Sequence, residues 1–485
     1  MEDLISYGLE LLQQNNNVSY SDVKFMNTEI ERLAIKNKIV ESIQSTTSQG
    51  IGFRVICDNA WGFASTNQLD KVSIEETIYL AIKTAKASAS IGRTKLELTE
   101  EPVYEDKVIT PMKRDPFTVS LDEKLEILME VSDRGKSDPR IRFSSSYFNA
   151  RKDRMILYTS EGSKIDQTIV YTGGGTTILA VDQGEVQIRS LPASFRGDVA
   201  TAGYEYFKEL NLIETAEQGA KEVCELLTAP QCPKEETTVI LGPSQMQLQI
   251  HESTGHPTEL DRVLDYEAAY AGTSYLRSNL LGANYMYGNS LVTLVADATI
   301  PKGLGSFFYD HEGVKAKKVP LVDDGELVGF MSSRETAKEI NQEHSSGAAR
   351  AMGYNFIPLV RMTNVNLLPG DWELDELIED TKDGYFFDTN KSWSIDDLRL
   401  NFQFGCEIGW RIKNGEITHV IKNPTYMDIT PRFWRSCSGI ANENHWKLFG
   451  TPNCGKGEPG QAAYVGHGSS PSRFEGVKIG IVGEN

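Results

Sequence analysis

Two histidines five residues apart, with a glutamate between them, are the residues of this chain best suited to chemistry. They stand in QIHESTGHPTELDR, residues 249–262, as His251, Glu252 and His256. A zinc-binding helix ordinarily spaces its histidines H-E-x-x-H, four apart, so that both rings leave one face. Five steps of about 100° put the rings about 140° apart on a regular helix, too far round for one ion. Two local changes would repair this. The turn can widen towards π geometry, or the helix can end early and leave His256 on the departing chain. Gly255 accepts unusual dihedrals and Pro257 biases His256 out of the α region, so the residues permit either solution.

Two neutral imidazoles and one further protein ligand leave a position open for water, the arrangement of a catalytic zinc site. Glu252, next to the first histidine, is then placed to take the water proton and return it to a leaving amine. Zinc is the default ion for such ligands, with iron as the alternative. Spacing does not identify the third ligand: Cys406, Cys437, Cys454, His311, His419, His445, His467 and many acids are candidates. Cys454 stands out in TPNCGKGEPGQ, a glycine-rich stretch expected to form an exposed loop, with Lys456 nearby to favour a thiolate. Glu259, Asp261 and Arg262 follow the second histidine and are expected either to support the ligands from behind or to pair at the surface. Asp310-His311-Glu312 repeats the His-Glu pair without a second histidine nearby and is expected to be solvated. Two rival readings share this chemistry. A closed four-ligand site would make a structural metal in a peptide-binding scaffold, and an open one would also serve a hydrolase of non-peptide amides.

These residues need a frame. At 485 residues the chain exceeds one compact core. The first part alternates strand-like runs with helices. VKFMN, ERLAIKN, ESIQSTTSQGIGFRVI and AWGFAST suggest an antiparallel set with a turn near Gln49-Gly50. Ser73 with Glu76, and Ser120 with Glu123, have capping-box spacing ahead of helical stripes. Strand-like runs from Ile141 to Ser190 read as a meander, broken among other places at Gly173 to Gly175. Residues 229–236, APQCPKEE, suit a boundary. The expectation is therefore an α+β fold in two domains: 1–228, an antiparallel sheet with helices, and 229–485, strand-rich and carrying the His251 motif.

Composition narrows the function. A formal net charge of −19 disfavours direct contact with nucleic acid, and the short run Lys315 to Lys318 suits a solvated loop. No apolar run approaches the roughly 18 residues of a membrane span, and MEDLISYGLELLQQ has acids where a signal peptide would be basic. Six scattered cysteines without a CxxC pair fit a reducing cytoplasm.

The sequence resembles the TldD/PmbA metallopeptidases, a family also called modulators of DNA gyrase. The resemblance is carried by QIHESTGHPTELDR, RMTNVNLLPG (361–370), GWRIKNGEI (409–417) and NCGKGEPGQ (453–461). YSDVKF (20–25) and GIGFRVICDNAWGFAST (50–66) extend it through the amino-terminal part. With His251, Glu252 and His256 kept, the chain is similar to the TldD-like, metal-binding side of the family. The resemblance implies that His251, His256 and Cys454 hold the metal, that Glu252 is the catalytic acid/base and that residues 229–485 form the peptidase domain. It also implies substrates that are unfolded or flexible peptides, and assembly with a PmbA-like subunit or as a homodimer. Two departures bear on substrate preference: Gly457, Glu458 and Pro459 lengthen the segment after Cys454-Gly455-Lys456, and Trp393 to Leu400 is poor in glycine. The strand-like run 361–368 is a candidate edge for an extended peptide to pair with.

Overall fold

Four 19-residue strands dominate the amino-terminal half of the computed structural model, which describes residues 1–91, 96–194, 197–457 and 460–480. After helix α1 (Glu2–Gln13), β1 (Val18–Lys36) and β2 (Ile39–Cys57) form a hairpin. The chain reverses through Asn37 and Lys38, both at positive φ (50° and 63°), as a two-residue turn between right-twisted strands requires. β3 (Ala60–Thr66), α2 (Lys71–Ala89), β4 (Glu105–Ile109), α3 (Leu121–Arg134), β5 (Ile141–Thr159), β6 (Lys164–Asp182), β7 (Glu185–Leu191) and β8 (Asp198–Ala200) follow. They make an eight-stranded sheet ordered β3-β2-β1-β5-β6-β4, with β7 and β8 also on β6. The apolar stripes of α1 and α2 (Ile5, Leu12, Ile74, Ile78) bury Phe25 and Phe53 at one end of the sheet. α3 and, beyond α4 (Tyr204–Glu209), α5 (Leu212–Leu226) cover Phe148 and Ile178 at the other.

Three local expectations are corrected. α2 starts at Asp70, whose carboxylate accepts from the Ser73 amide (2.9 Å), ahead of the expected Ser73 cap. Ser120 does cap α3. Neither Gly50 nor Gly173 marks a turn: both lie inside long strands. They are places of close approach, since a Cβ on Gly173 would meet the Asp198 carbonyl at 2.0 Å and one on Gly50 the Tyr354 ring at 2.4 Å.

Beyond α5, residues 229–234 are tied to strand Glu416–Lys422 by backbone bonds and lead into β9 (Glu235–Leu241). β9 pairs in parallel with Asp383–Ile395 and antiparallel with Ser472–Ile479, which continues through Thr425–Ile429 to Asn401–Lys413. Strand 401–413 pairs back onto 383–395, closing five strands into a ring. Val239, Leu241, Phe387, Phe402, Phe404, Tyr426 and Phe474 fill the core around it. The fold is α+β. A second hairpin, Lys447–Lys456 with Gln461–Ser469, packs against the helix Pro243–Ile250 and strand Val365–Leu367. Strand Val365–Leu367 pairs with 294–296 and is fully buried. Its other side is covered by the second hairpin, through the Asn364–Gly466 bridge and a bond from the Gly468 amide to Asn366. Residues 361–368 are therefore not an open edge for a peptide.

Candidate metal centre

β9 delivers the chain straight into the site. The Gly242 amide bonds back to the Phe387 carbonyl (2.8 Å), Pro243 occupies the first helical position, and α6 runs over Pro243–Ile250. At His251 the helix widens to a π turn, His251–Gly255, then tightens to a 3₁₀ turn, His256–Thr258. This is the first of the two geometries that the five-residue spacing allowed. A Cβ on residue 255 would lie 2.0 Å from the Met362 sulfur, so any larger residue would have to displace that buried side chain. The irregular turn has its own hydrogen-bond partners. Tyr287 donates to the Ser253 carbonyl (2.6 Å), Thr258 donates to the Thr254 and Gly255 carbonyls, and Trp434 donates to the Ser253 hydroxyl (2.9 Å).

The widened turn brings the imidazoles of His251 and His256 together, centroids 4.8 Å apart and mutually perpendicular. Cys454 arrives from strand Lys447–Lys456 at an irregularity in the pairing between Thr451 and Cys454, where the chain is re-aimed inward. It is 3 % exposed, on a strand and not in an exposed loop. One donor atom from each of the three residues lies within 4.8 Å of the others, and among the described residues this is the one such His/Cys/acid group. Cys454 Sγ stands 3.7 Å from His256 Nε2. The S···N edge of a tetrahedral zinc site, from ordinary zinc–ligand lengths, is about 3.6 Å. The residues fit the ion.

The hydrogen-bond pattern aims the lone pairs. His467 Nδ1 faces the Val365 carbonyl (3.1 Å), which can only accept, so that nitrogen carries the proton. Its Nε2 then accepts from His251 Nδ1 (2.8 Å), leaving His251 Nε2 unprotonated. His256 Nδ1 donates to Glu259 (3.0 Å), leaving its Nε2 free towards Cys454. Burial holds the pKa values of His251, His256 and His467 below the ordinary imidazole value, so all three stay neutral. Burial would push the Cys454 thiol up, but the His256 ring, when protonated, and the Arg361 charge beside it bring it below its ordinary value. Lys456, the residue expected to favour a thiolate, instead pairs with Asp261 (2.6 Å) and Glu259 (3.2 Å). Burial raises the Glu259 carboxyl, yet Lys456, His256 and Arg262 hold it well below the carboxylate range. Glu259, Asp261 and Arg262 are thus a buried layer behind the histidines, not surface pairs.

Glu252 forms an ion pair with Arg399. Both line a cavity of about 210 Å³ with His251, His256, Cys454, Trp393 and Asn453. His467 and Arg399 are the residues that sequence reasoning left without a role: His467 was one of several unassigned candidates and Arg399 was not singled out. Asp310 and Glu312 are buried and His311 is half-buried, so the three are not a solvated group, and among the described residues they make no such donor cluster. Glu458 and Pro459 lie outside the described residues.

Comparison with known proteins puts the chain among the metallopeptidases. Residues 234–480 match the PmbA/TldA metallopeptidase C-terminal domain, 21–89 its domain 1 and 114–227 its central domain. A metalloprotease of Methanocaldococcus jannaschii is 32 % identical over 405 residues, 83 % of this chain and 85 % of that protein. A zinc metalloprotease TldD homolog of Saccharolobus solfataricus is 23 % identical, over 95 % of this chain and 96 % of that one. Two crystal structures share the fold. One is a modulator of DNA gyrase from Thermotoga maritima (TM-score 0.77, 17 % identity, 99 % of this chain and 100 % of that one). The other is TldE from Thermococcus kodakarensis (0.73, 16 %, 99 % and 100 %). The chain belongs to the PmbA/TldD metallopeptidase family, and it is a peptidase.

Proposed function

We propose that this chain is a zinc-dependent, TldD-like peptidase subunit that hydrolyses unfolded or flexible peptides. His251, His256 and Cys454 are its metal ligands and Glu252 is its general base and acid. The observation that carries the reading is the convergence of two unprotonated imidazole nitrogens and a thiol within 4.8 Å, beside a carboxylate on the same cavity. A donor set of two nitrogens and one sulfur supports zinc over harder ions, and the Saccharolobus relative carries zinc in its name; iron is the alternative. When bound, the ion supplies acidification of water and polarisation of the scissile carbonyl. Glu252 takes the proton from the attacking water and passes it to the departing amine nitrogen. His467 and Glu259 hold the histidine rings in place. The small cavity supports a single extended segment as substrate in preference to a folded surface.

Assembly with a PmbA-like partner subunit or with a second copy is supported by an open edge. Residues 39–50 of β2 pair only with β1 among the described residues and expose Ile39, Val40 and Ile43. The TldE neighbour supports the heteromeric form. Six free, buried cysteines support a reducing cytoplasm. No described helix is long and apolar enough to cross a membrane, and the charge of −19 opposes nucleic-acid contact. The test is cleavage of an unstructured peptide by zinc-loaded protein, wild type against Glu252→Gln. The expected result is retained zinc with turnover down about 10³-fold. Equal turnover in a zinc-loaded Glu252→Gln protein, or equal cutting of a folded protein and its unfolded form, contradicts the reading.

A further inference from the structure

We propose that Arg399 is a second catalytic residue, donating from its guanidinium to the scissile carbonyl oxygen as negative charge gathers there. The proposal rests on the peptidase reading of this same site.

Arg399 sits on the short connection between strands Asp383–Ile395 and Asn401–Lys413, and it lines the cavity that Glu252 and the three converging donors share. One terminal nitrogen, Nη1, donates to Glu252. Its Nε is buried and has no hydrogen-bond partner, an unused donor on a charged group. Buried donors are almost always satisfied, so an orphan beside a reactive centre points to a partner that arrives with the substrate.

The connection does not need the arginine side chain to hold its shape. Asp396 accepts from the Leu400 amide (2.7 Å) and the Asn401 amide (3.1 Å), and the Arg399 amide bonds to the Asp396 carbonyl (2.9 Å). The Thr273 and Tyr275 amides bond to the carbonyls of Asp397 and Leu398, and Thr430 holds those of Arg399 and Leu400. Within this anchored loop Arg399 adopts φ +63°, which glycine accepts freely and other residues, Lys38 among them, adopt in turns at some cost. Glycine would therefore suit the backbone here at least as well as arginine, and the features that set Arg399 apart are its place on the cavity wall, its contact with Glu252 and its unpartnered Nε.

The chemistry balances without a further reactant. Water oxygen forms a bond to the carbonyl carbon while its proton goes to Glu252, and the carbonyl π pair moves onto oxygen. The Arg399 N–H groups donate to that oxygen, giving it more stabilisation than the neutral carbonyl received. The pair then returns, the C–N bond breaks, and the Glu252 proton passes to the amine nitrogen. At rest the ion pair holds Glu252 and Arg399 in direct contact on the wall of the cavity that the peptide bond must enter.

The experiment compares zinc-loaded full-length wild type, Arg399→Gly and Arg399→Lys on a quenched fluorescent peptide of unstructured sequence. Zinc content is measured for each protein, and guanidinium is added at concentrations too low to unfold it. Glycine suits the backbone at 399, and lysine keeps the charge without the fork. The expected result is unchanged zinc, kcat down about 100-fold in Arg399→Gly with KM little moved, and partial rescue of that variant by guanidinium. A kcat equal to or above wild type, a loss confined to KM, or a loss that follows zinc would overturn the role. Should Arg399→Gly fail to fold, a lysine variant with wild-type kcat overturns it and one with reduced kcat at full zinc supports it. A zinc-loaded wild type with no activity on any unstructured peptide would instead bring down the peptidase reading, and this inference with it.

Discussion

The chain contains the dipeptide His-Glu twice, at 251–252 and at 311–312, and the two have opposite surroundings. At 251 the ring nitrogen facing the cavity is left unprotonated by a relay through His467, and Glu252 faces the cavity with a single cation opposite. At 311 the lone pairs are taken. His311 Nδ1 accepts from the Ala351 amide (3.1 Å) and meets Lys24 (3.4 Å), while Glu312 takes Arg54 (2.9 Å) and the Arg334 amide (2.8 Å). Asp22 also pairs with Arg54 (2.8 Å), so the cluster fastens β1 and β2 to the carboxy-terminal half. One dipeptide makes a site because its lone pairs converge unpaired on a cavity; the other makes a joint because its Nδ1 and its carboxylate are already taken.

Three substitutions sharpen this contrast. Glu312→Gln leaves a buried guanidinium short of one carboxylate and is expected to cost about 3 kcal/mol of stability. Zinc content and kcat should not change, as checked by denaturant unfolding beside metal analysis. Loss of zinc there would dissolve the distinction. His467→Phe fills the same space but removes the acceptor that fixes the His251 ring. Zinc affinity is expected to fall about 10- to 100-fold, read by competition with a chelator. The smallest effect concerns Lys24, whose pKa burial lowers from 10.5 to about 7 despite Asp22 nearby. The folded state then binds fewer protons than the unfolded chain between those values, so stability should rise as pH increases from about 7 to 10.5. Lys24→Met should flatten that rise; an unchanged slope would show that Lys24 is not the group responsible.

How much of this could be read beforehand follows the range of each contact. Glu259 reaches His256 within one turn, a local contact. The irregular turn itself is announced by the five-residue spacing and not by the dihedral preferences of Gly255 and Pro257, since Gly255 (φ −57°, ψ −62°) and His256 (φ −63°, ψ −45°) both stay in the α region. The α+β class follows from strand and helix periods. The ring closed by strands 383–395 and 401–413 does not, since register is set by packing across the sheet. Cys454 emerged as third ligand through resemblance alone: its neighbours suggested an exposed loop, and only the pairing with strand 461–469 buries it. His467 and Arg399 lie 216 and 147 positions from their partners, and no short-range pattern carries that information. Gly50 and Gly173 misled for the opposite reason. Glycine marks either a turn or a close approach, and the sequence does not say which.

The central claim is that His251, His256 and Cys454 hold one catalytic zinc. Its most direct test is metal content per chain by mass spectrometry, wild type against Cys454→Ala, after loading with zinc and gel filtration. The account predicts about one zinc in the wild type and a sharp loss in the variant. Full zinc retention in Cys454→Ala, or a wild type that takes up none, would contradict it.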